Sequence, residues 1–270
     1  MVRKLFGSKG KRVKKSAVGL RKHLPHICVA VVCLTLILFG VWWILIYENE
    51  DAAARSEYDE LREIFTTTPL RPEVPQNNDE ETEEETEPFE EEPEQVEFNS
   101  LEELARINPD FVGWLSIENR IEYPVVRGTN NDKYMYTTFS GERNPAGAIF
   151  MDYRNYNGFD NHVVIIFGHR TRTGMMFSPL NNYLNRDFLM DNPIITITTR
   201  DGEELVYRIF SAKLTDAWDD AYEMSFSDSA RASSAFPNAP ADASRFLLLS
   251  TCTPSENREE RTIVFAALEE

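Results

Sequence analysis

The sequence predicts an all-β fold with helical insertions: a closed β-barrel of about eight strands, preceded by a helix and carried behind an N-terminal transmembrane helix. Three observations lead there. From Trp114 onward the chain offers the runs "WLSI", "IEYPVV", "GAIFM", "HVVIIF", "IITIT", "ELVYRIF", "RFLLLS" and "TIVFAAL", short and rich in β-branched, aliphatic and aromatic residues as strands are. Two or three helical patterns interrupt them, all in long connections, and many short strands remove their exposed edges by closing on themselves. Ahead of them a single long uncharged stretch stands apart. Neither an internal repeat nor a coenzyme-binding glycine fingerprint is present in the 270 residues.

At the N terminus, "VRKLFGSKGKRVKKSAVGLRKH" is rich in Lys and Arg and lacks acids, and "ICVAVVCLTLILFGVWWILIY" (Ile27–Tyr47) is uncharged. A bilayer core needs about 20 apolar residues, and a basic flank stays cytoplasmic, so the chain beyond the stretch is expected to face outward. A cleaved signal peptide is the competing reading. The stretch is long for one, and the nearest small-residue site, "DAAAR" at 51–55, is preceded by acids. Trp42, Trp43 and Tyr47 near the outer end fit an interfacial aromatic belt. The expected layout is a cytoplasmic tail over 1–26, an anchor over 27–47, a juxtamembrane segment and acidic linker over 48–99, and a folded domain over 100–270.

"SEYDELREIF" reads as a short juxtamembrane helix, after which the chain up to Asn99 is nearly empty of aliphatic residues. "RPEVPQNNDEETEEETEPFEEEPEQVEF" is Glu- and Pro-rich and supplies most of the net charge of −17. Such a segment buries too little apolar area to offset ordering entropy, so it reads as a solvated spacer. An acidic outer chain argues against nucleic-acid binding. The folded domain is expected to open with "SLEELARI", where Ser100 and Glu103 form a capping box ahead of Leu101, Leu104 and Ile107, and Pro109 limits the helix. Asp201-Gly202 in "TTRDGEEL" is the strongest hairpin signal in the chain. "SPLNNYL" reads as a helix with Ser178 as N-cap and Pro179 at the first turn, and "DSARASSAF" as another.

The chemistry begins with cysteine. Cys28 and Cys33 lie in the apolar stretch, and Cys252 in "FLLLSTCTP" has no partner to meet. An outward-facing domain pairs its cysteines or drops them, so Cys252 is an intermolecular linker, a buried inert thiol or a nucleophile. Of four histidines, His23 and His26 precede the anchor, whereas His162 and His169 bracket "VVIIFG". Their offset of seven sends them to opposite faces of a regular strand, so at most one is expected at a site. His169, just past Gly168 at the end of a buried strand, is the better placed; a surface histidine is the plain alternative. Arg261 opens the last strand as Cys252 closes the one before it, so the two flank one end of the barrel. A guanidinium there can stabilise an anionic sulfur or an oxyanion, or simply pair with Glu259 or Glu260; Arg258 is a less constrained substitute. No compact His/Cys/carboxylate spacing points to a metal, and no cofactor is expected.

With these residues in order, the chain resembles the sortase family, and class B in particular. The resemblance runs through "INPDFVGWLSIENRIEYPVVRGTNNDKYM", "GAIFMDYRN", "VVIIFGHRTRTGMMFSPLNNY" and "LLLSTCTP…RTIVFAAL", nearly the whole folded domain. The family's Thr-Leu-x-Thr-Cys motif appears as Leu248-Leu249-Ser250-Thr251-Cys252, with Leu248 replacing the first Thr; that position lies within a strand, so the change is expected to alter packing rather than chemistry. The resemblance implies a cysteine transpeptidase with Cys252 as nucleophile, His169 as acid and base, and Arg261 as oxyanion partner. It also implies peptide contacts at Asn131, Met135, Tyr222, Ser250 and Thr251. Expected partners are secreted proteins bearing a C-terminal sorting motif and an amine of a peptidoglycan cross-bridge or lipid-linked precursor, met at the cell membrane. A tethered cysteine peptidase using water, and a non-catalytic binding module, are the alternatives. No residue orienting His169 is evident from sequence.

Overall fold

The computed structural model describes residues 17–67, 99–223, 236, 238–255, 257 and 259–269. The expected helix in "DSARASSAF" and Arg258 lie outside them, apart from Phe236. The chain divides into two compact units, residues 1–49 and 50–270. Helix α1 (Ala17–Thr67) contributes to both. In the first unit an 18-residue window of α1 with mean hydropathy 2.8 has no protein cover. Among the described residues this is the one helix long and apolar enough to cross a membrane.

In the second unit eight strands close into a barrel: β1 (Phe111–Ile117), β2 (Ile121–Val126), β3 (Ile149–Met151), β4 (Val163–Phe167), β5 (Ile194–Thr199), β6 (Glu204–Asp216), β7 (Phe246–Cys252) and β8 (Glu260–Leu268). Their order around the barrel is β1-β2-β3-β4-β7-β8-β6-β5, and β5 returns to β1. The β2–β3 and β4–β7 pairs are parallel and the rest antiparallel. The expected Asp201-Gly202 turn joins β5 to β6, with Gly202 at φ +84°, a backbone conformation glycine adopts without steric cost.

Strands β4, β7 and β8 read as continuous apolar runs because both of their faces are covered. Val164, Ile166, Leu247, Leu249, Val264 and Ala266 fill the barrel interior. Val163, Ile165, Phe246, Leu248, Ile263 and Phe265 face outward and are roofed by the β6–β7 connection through Ala221, Phe236 and the partly buried Tyr222. Strand alternation therefore divides these three strands between two apolar clusters.

Three local expectations differ. Helix α2 (Ser100–Ile107) is capped by Asn99, whose Oδ1 accepts from Glu102 N at 2.9 Å, not by Ser100; Ser100 is the first helical residue, and its buried hydroxyl makes no hydrogen bond among the described residues. "SPLNNYL" is a 3₁₀ segment, and Ser178 Oγ donates to Met175 O at 2.6 Å, closing the loop before it instead of capping. A short helix α3 (Arg186–Asp191), capped by Asn185, follows it. The core also takes in Ala54, Tyr58 and Leu61 from α1, residues read from sequence as lying ahead of the domain. Phe65 of the same helix stacks on Trp114 with ring centroids 4.3 Å apart.

Candidate active site

Residue parity puts the thiol on the outer face of the barrel. On β7 the outward residues run Phe246 and Leu248, and alternation continues the series to Ser250 and Cys252. On β8 the series Phe265, Ile263 continues to Arg261. The antiparallel register pairs Cys252 with Arg261 directly, and side chains so paired have Cβ atoms about 4.5–5.5 Å apart. On the other side of β7, parallel β4 sets Phe167 opposite Ser250, and Gly168 N donates to Ser250 O at 3.2 Å. A Cβ at Gly168 would lie 2.4 Å from Ile149 Cδ1 and 2.7 Å from the Phe177 ring, so the chain can dip there only with glycine before sending His169 outward. His162, at the opposite end of β4, is exposed, with Nδ1 3.2 Å from Ser244 O.

His169 is half-buried, and its Nε2 lies 2.6 Å from Met135 O. A carbonyl only accepts, so Nε2 carries a proton and Nδ1 is the nitrogen left to exchange one. The orienting group that sequence reading did not find is thus a backbone carbonyl. Tyr136 flanks the imidazole, with ring centroids 5.9 Å apart.

Cys252, His169 and Arg261 line one cavity of about 590 Å³, together with Asn131, Met135, Tyr222, Ser250 and Thr251. All eight residues singled out from sequence meet there, although strand alternation turns the Thr251 side chain toward the barrel interior and leaves its backbone to the groove. Tyr222 closes a 3₁₀ turn capped by Asp219, which pairs with Lys213 Nζ at 2.8 Å. Its ring stacks on Phe167 at 6.1 Å and its hydroxyl meets Ser250 Oγ at 2.7 Å. Burial pushes the Tyr222 phenol up to about 12, so it stays neutral.

Two further wall residues escaped sequence reading. The Asp152 side chain is 0% exposed, and Arg154 grips it with Nε to Oδ1 at 2.9 Å and Nη2 to Oδ2 at 2.7 Å. Asn131 Nδ2 donates to the same carboxylate at 3.1 Å, and Arg154 Nη2 reaches Tyr222 O at 3.2 Å. Burial alone would push the Asp152 carboxyl up; the Arg154 fork and the Asn131 amide outweigh it and hold the group below the usual carboxylate range. One half-buried ion pair thereby ties together two sides of the groove, Asn131 before β3 and Tyr222 after β6. An Asp directly after the buried "IFM" of β3, with Arg two residues on, was the available signal, because a buried acid needs a partner.

One groove thus presents a thiol, an imidazole and a guanidinium together. The sortase domain family matches residues 116–269. Sortase B of Listeria monocytogenes is 42% identical over 96 residues, 35% of this chain and 39% of that relative. Sortase B of Staphylococcus aureus is 34% identical over 127 residues, 47% of this chain and 52% of that relative. The chain thus spans about half or less of the length of these curated relatives. The crystal structure of sortase B from B. anthracis in complex with AAEK1 is similar at a TM-score of 0.64 and 25% identity, over 82% of this chain and 98% of that one. A family match over more than half of the sequence, joined to an eight-stranded barrel with cysteine, histidine and arginine on one groove, makes this chain a member of the sortase family, and of its class B.

Proposed function

We propose that the protein is a membrane-anchored cysteine transpeptidase. The observation that carries this reading is the convergence of Cys252, His169 and Arg261 on a single groove. In the acylation step the Cys252 thiolate attacks the carbonyl carbon after Thr in a C-terminal sorting motif of a secreted protein, and the carbonyl electrons move onto oxygen. Arg261, opposite Cys252 on β8, holds that oxyanion in a partly desolvated site, where fixed charge acts more strongly than in water. The C–N bond then breaks as protonated His169 gives its proton to the leaving amine, and a thioester remains. An incoming amine attacks the thioester, neutral His169 takes the amine's surplus proton, and the C–S bond breaks to return the thiolate. Each step is an acyl exchange without net oxidation.

Class B resemblance supports an Asn-Pro-x-Thr-like motif, and an amine of a peptidoglycan cross-bridge or its lipid-linked precursor as acceptor. Asn131 keeps one amide hydrogen beyond its bond to Asp152, and Tyr222 with Ser250 offers polar atoms on the facing wall. The uncovered apolar part of α1 supports anchoring at the cell membrane, and the Lys- and Arg-rich flank ahead of it supports a barrel on the outside, where such substrates emerge. The test is product analysis with the full chain in detergent micelles, a panel of motif peptides, and oligoglycine present or omitted. A peptide–glycine conjugate that disappears in Cys252→Ala supports transpeptidation. Hydrolysis alone, unchanged by any amine, supports a peptidase, and no turnover of any peptide by folded protein supports a binding module.

A further inference from the structure

The docked part of α1 reaches the back of the loop that carries the His169 acceptor. Tyr58 Oη donates to Gly147 O at 2.7 Å, Glu57 Oε1 accepts from Ser140 N at 2.8 Å, and Asn144 Nδ2 donates to Glu50 O at 2.8 Å. All three bonds land between residues 140 and 147. That stretch is stiffened from within: Thr138 N donates to Glu142 O, Asn144 N to Tyr136 O, and Ala148 N to Tyr134 O, at 2.8–3.0 Å. Gly147 sits at φ +59°, and a Cβ there would lie 2.7 Å from Tyr134 O, 2.8 Å from Met135 O and 3.1 Å from His169 Cδ2. The Gly147 peptide therefore packs between the Tyr58 hydroxyl on one side and the Met135 carbonyl and His169 ring on the other.

We propose that Tyr58 is a positioning residue: through Gly147 it holds the Met135 carbonyl in the direction that fixes the His169 ring, so that the docked turns of α1 form part of the active-site scaffold. A hydrogen bond from an imidazole N–H weakens steeply as it bends away from linear, and a proton-transferring ring works only when its second nitrogen is held on line. Tyr58 is 1% exposed and its ring meets Tyr123 edge-on at 5.2 Å, work a phenylalanine would do as well. The hydroxyl is the part that core packing does not require. Tyr123 in turn accepts from Met176 N at 3.0 Å, and Phe177 N, the next residue, donates to His169 O at 3.0 Å. The pair of tyrosines consequently braces His169 from both its ring and its backbone.

This inference rests on the transpeptidase reading, in which His169 moves protons. Its test uses the full chain in detergent micelles with Tyr58→Phe and, as a variant without a core ring change, Glu57→Ala. Two readouts are taken: kcat and KM for thioester formation with a motif peptide, and ring ¹⁵N shifts of labelled histidine, the His169 signals being assigned by their loss in His169→Asn. Tyr58→Phe is expected to lower kcat roughly three- to tenfold, the span set by one buried hydrogen bond, to leave KM within about twofold, and to move the His169 ring signals. Glu57→Ala is expected to do the same more weakly. Unmoved ring signals and an unchanged kcat in both variants overturn the inference, as does a fall in thermal stability alone. Failure of the wild type to form thioester overturns the transpeptidase reading instead, while the ring signals still decide whether Tyr58 positions His169.

Discussion

The two histidines that bracket β4 are the same residue type at the two ends of one strand, and they meet opposite circumstances. His162 is exposed, and its ring nitrogen Nδ1 lies 3.2 Å from the Ser244 carbonyl. His169 is half-buried, held at Nε2 by Met135 O, backed by Gly147, and faces a groove shared with Cys252 and Arg261. The difference teaches that, on the proposed transpeptidase reading, the strand end and not the residue type assigns the acid–base role. The end of β4 at His169 lies where β7 delivers Cys252 and the start of β8 brings Arg261; the other end pairs with the start of β7 at Phe246.

The sharpest way to break that comparison is substitution at the two ends. His169→Asn is expected to lower the rate of thioester formation by about 10²–10⁴-fold, the range for loss of general acid–base help. Arg261→Met comes next, with a loss of roughly 10²–10³-fold in kcat, as for removal of an oxyanion donor, read in the same assay. Arg154→Ala strikes the wall instead: it leaves the buried Asp152 carboxylate without its fork, and because Arg154 is 38% exposed the expected cost is about 1–3 kcal/mol of stability, less than for a fully buried pair. Peptide KM should rise several-fold in that variant with kcat less affected, measured by steady-state kinetics.

The same ion pair predicts a pH dependence with a definite sign. The folded-state pKa of Asp152 is lowered, so the unfolded chain binds the proton more readily and the pair's stabilisation is fully present above the ordinary carboxylate range. It is lost as pH falls through that range toward the lower folded value. Thermal melts of wild type and Arg154→Ala should therefore differ at neutral pH and draw together below about pH 4. The smallest expected effect is that of His162→Ala: stability within about 0.5 kcal/mol of wild type, as for surface changes in general, and an unchanged rate.

What sequence reading recovered follows the same physics. β4, β7 and β8 are covered on both faces, which makes them uninterrupted apolar runs, and Cys252 and Arg261 stand at the ends of two such runs, so the candidate site was legible as residue type at a strand terminus. The His169 acceptor did not, because a backbone carbonyl belongs to every residue and only the fold selects Met135. Asp152 and Arg154 were not singled out, since the burial of a carboxylate is a tertiary fact. The N-cap moved from Ser100 to Asn99 because both are capping types in sequence and burial of Ser100 decides between them. Tyr58 was placed ahead of the domain, in a juxtamembrane helix before the Glu- and Pro-rich spacer, yet the face it shares with Ala54 and Leu61 is core.

The most direct test of a single site built from Cys252, His169 and Arg261 is intact-mass spectrometry of the full chain after brief exposure to a motif peptide, with wild type, His162→Ala and His169→Asn side by side. The account predicts a thioacyl adduct on Cys252 in the wild type and in His162→Ala, and none over the same interval in His169→Asn. Equal adduct in both histidine variants, or none in folded wild type across the peptide panel, would contradict it.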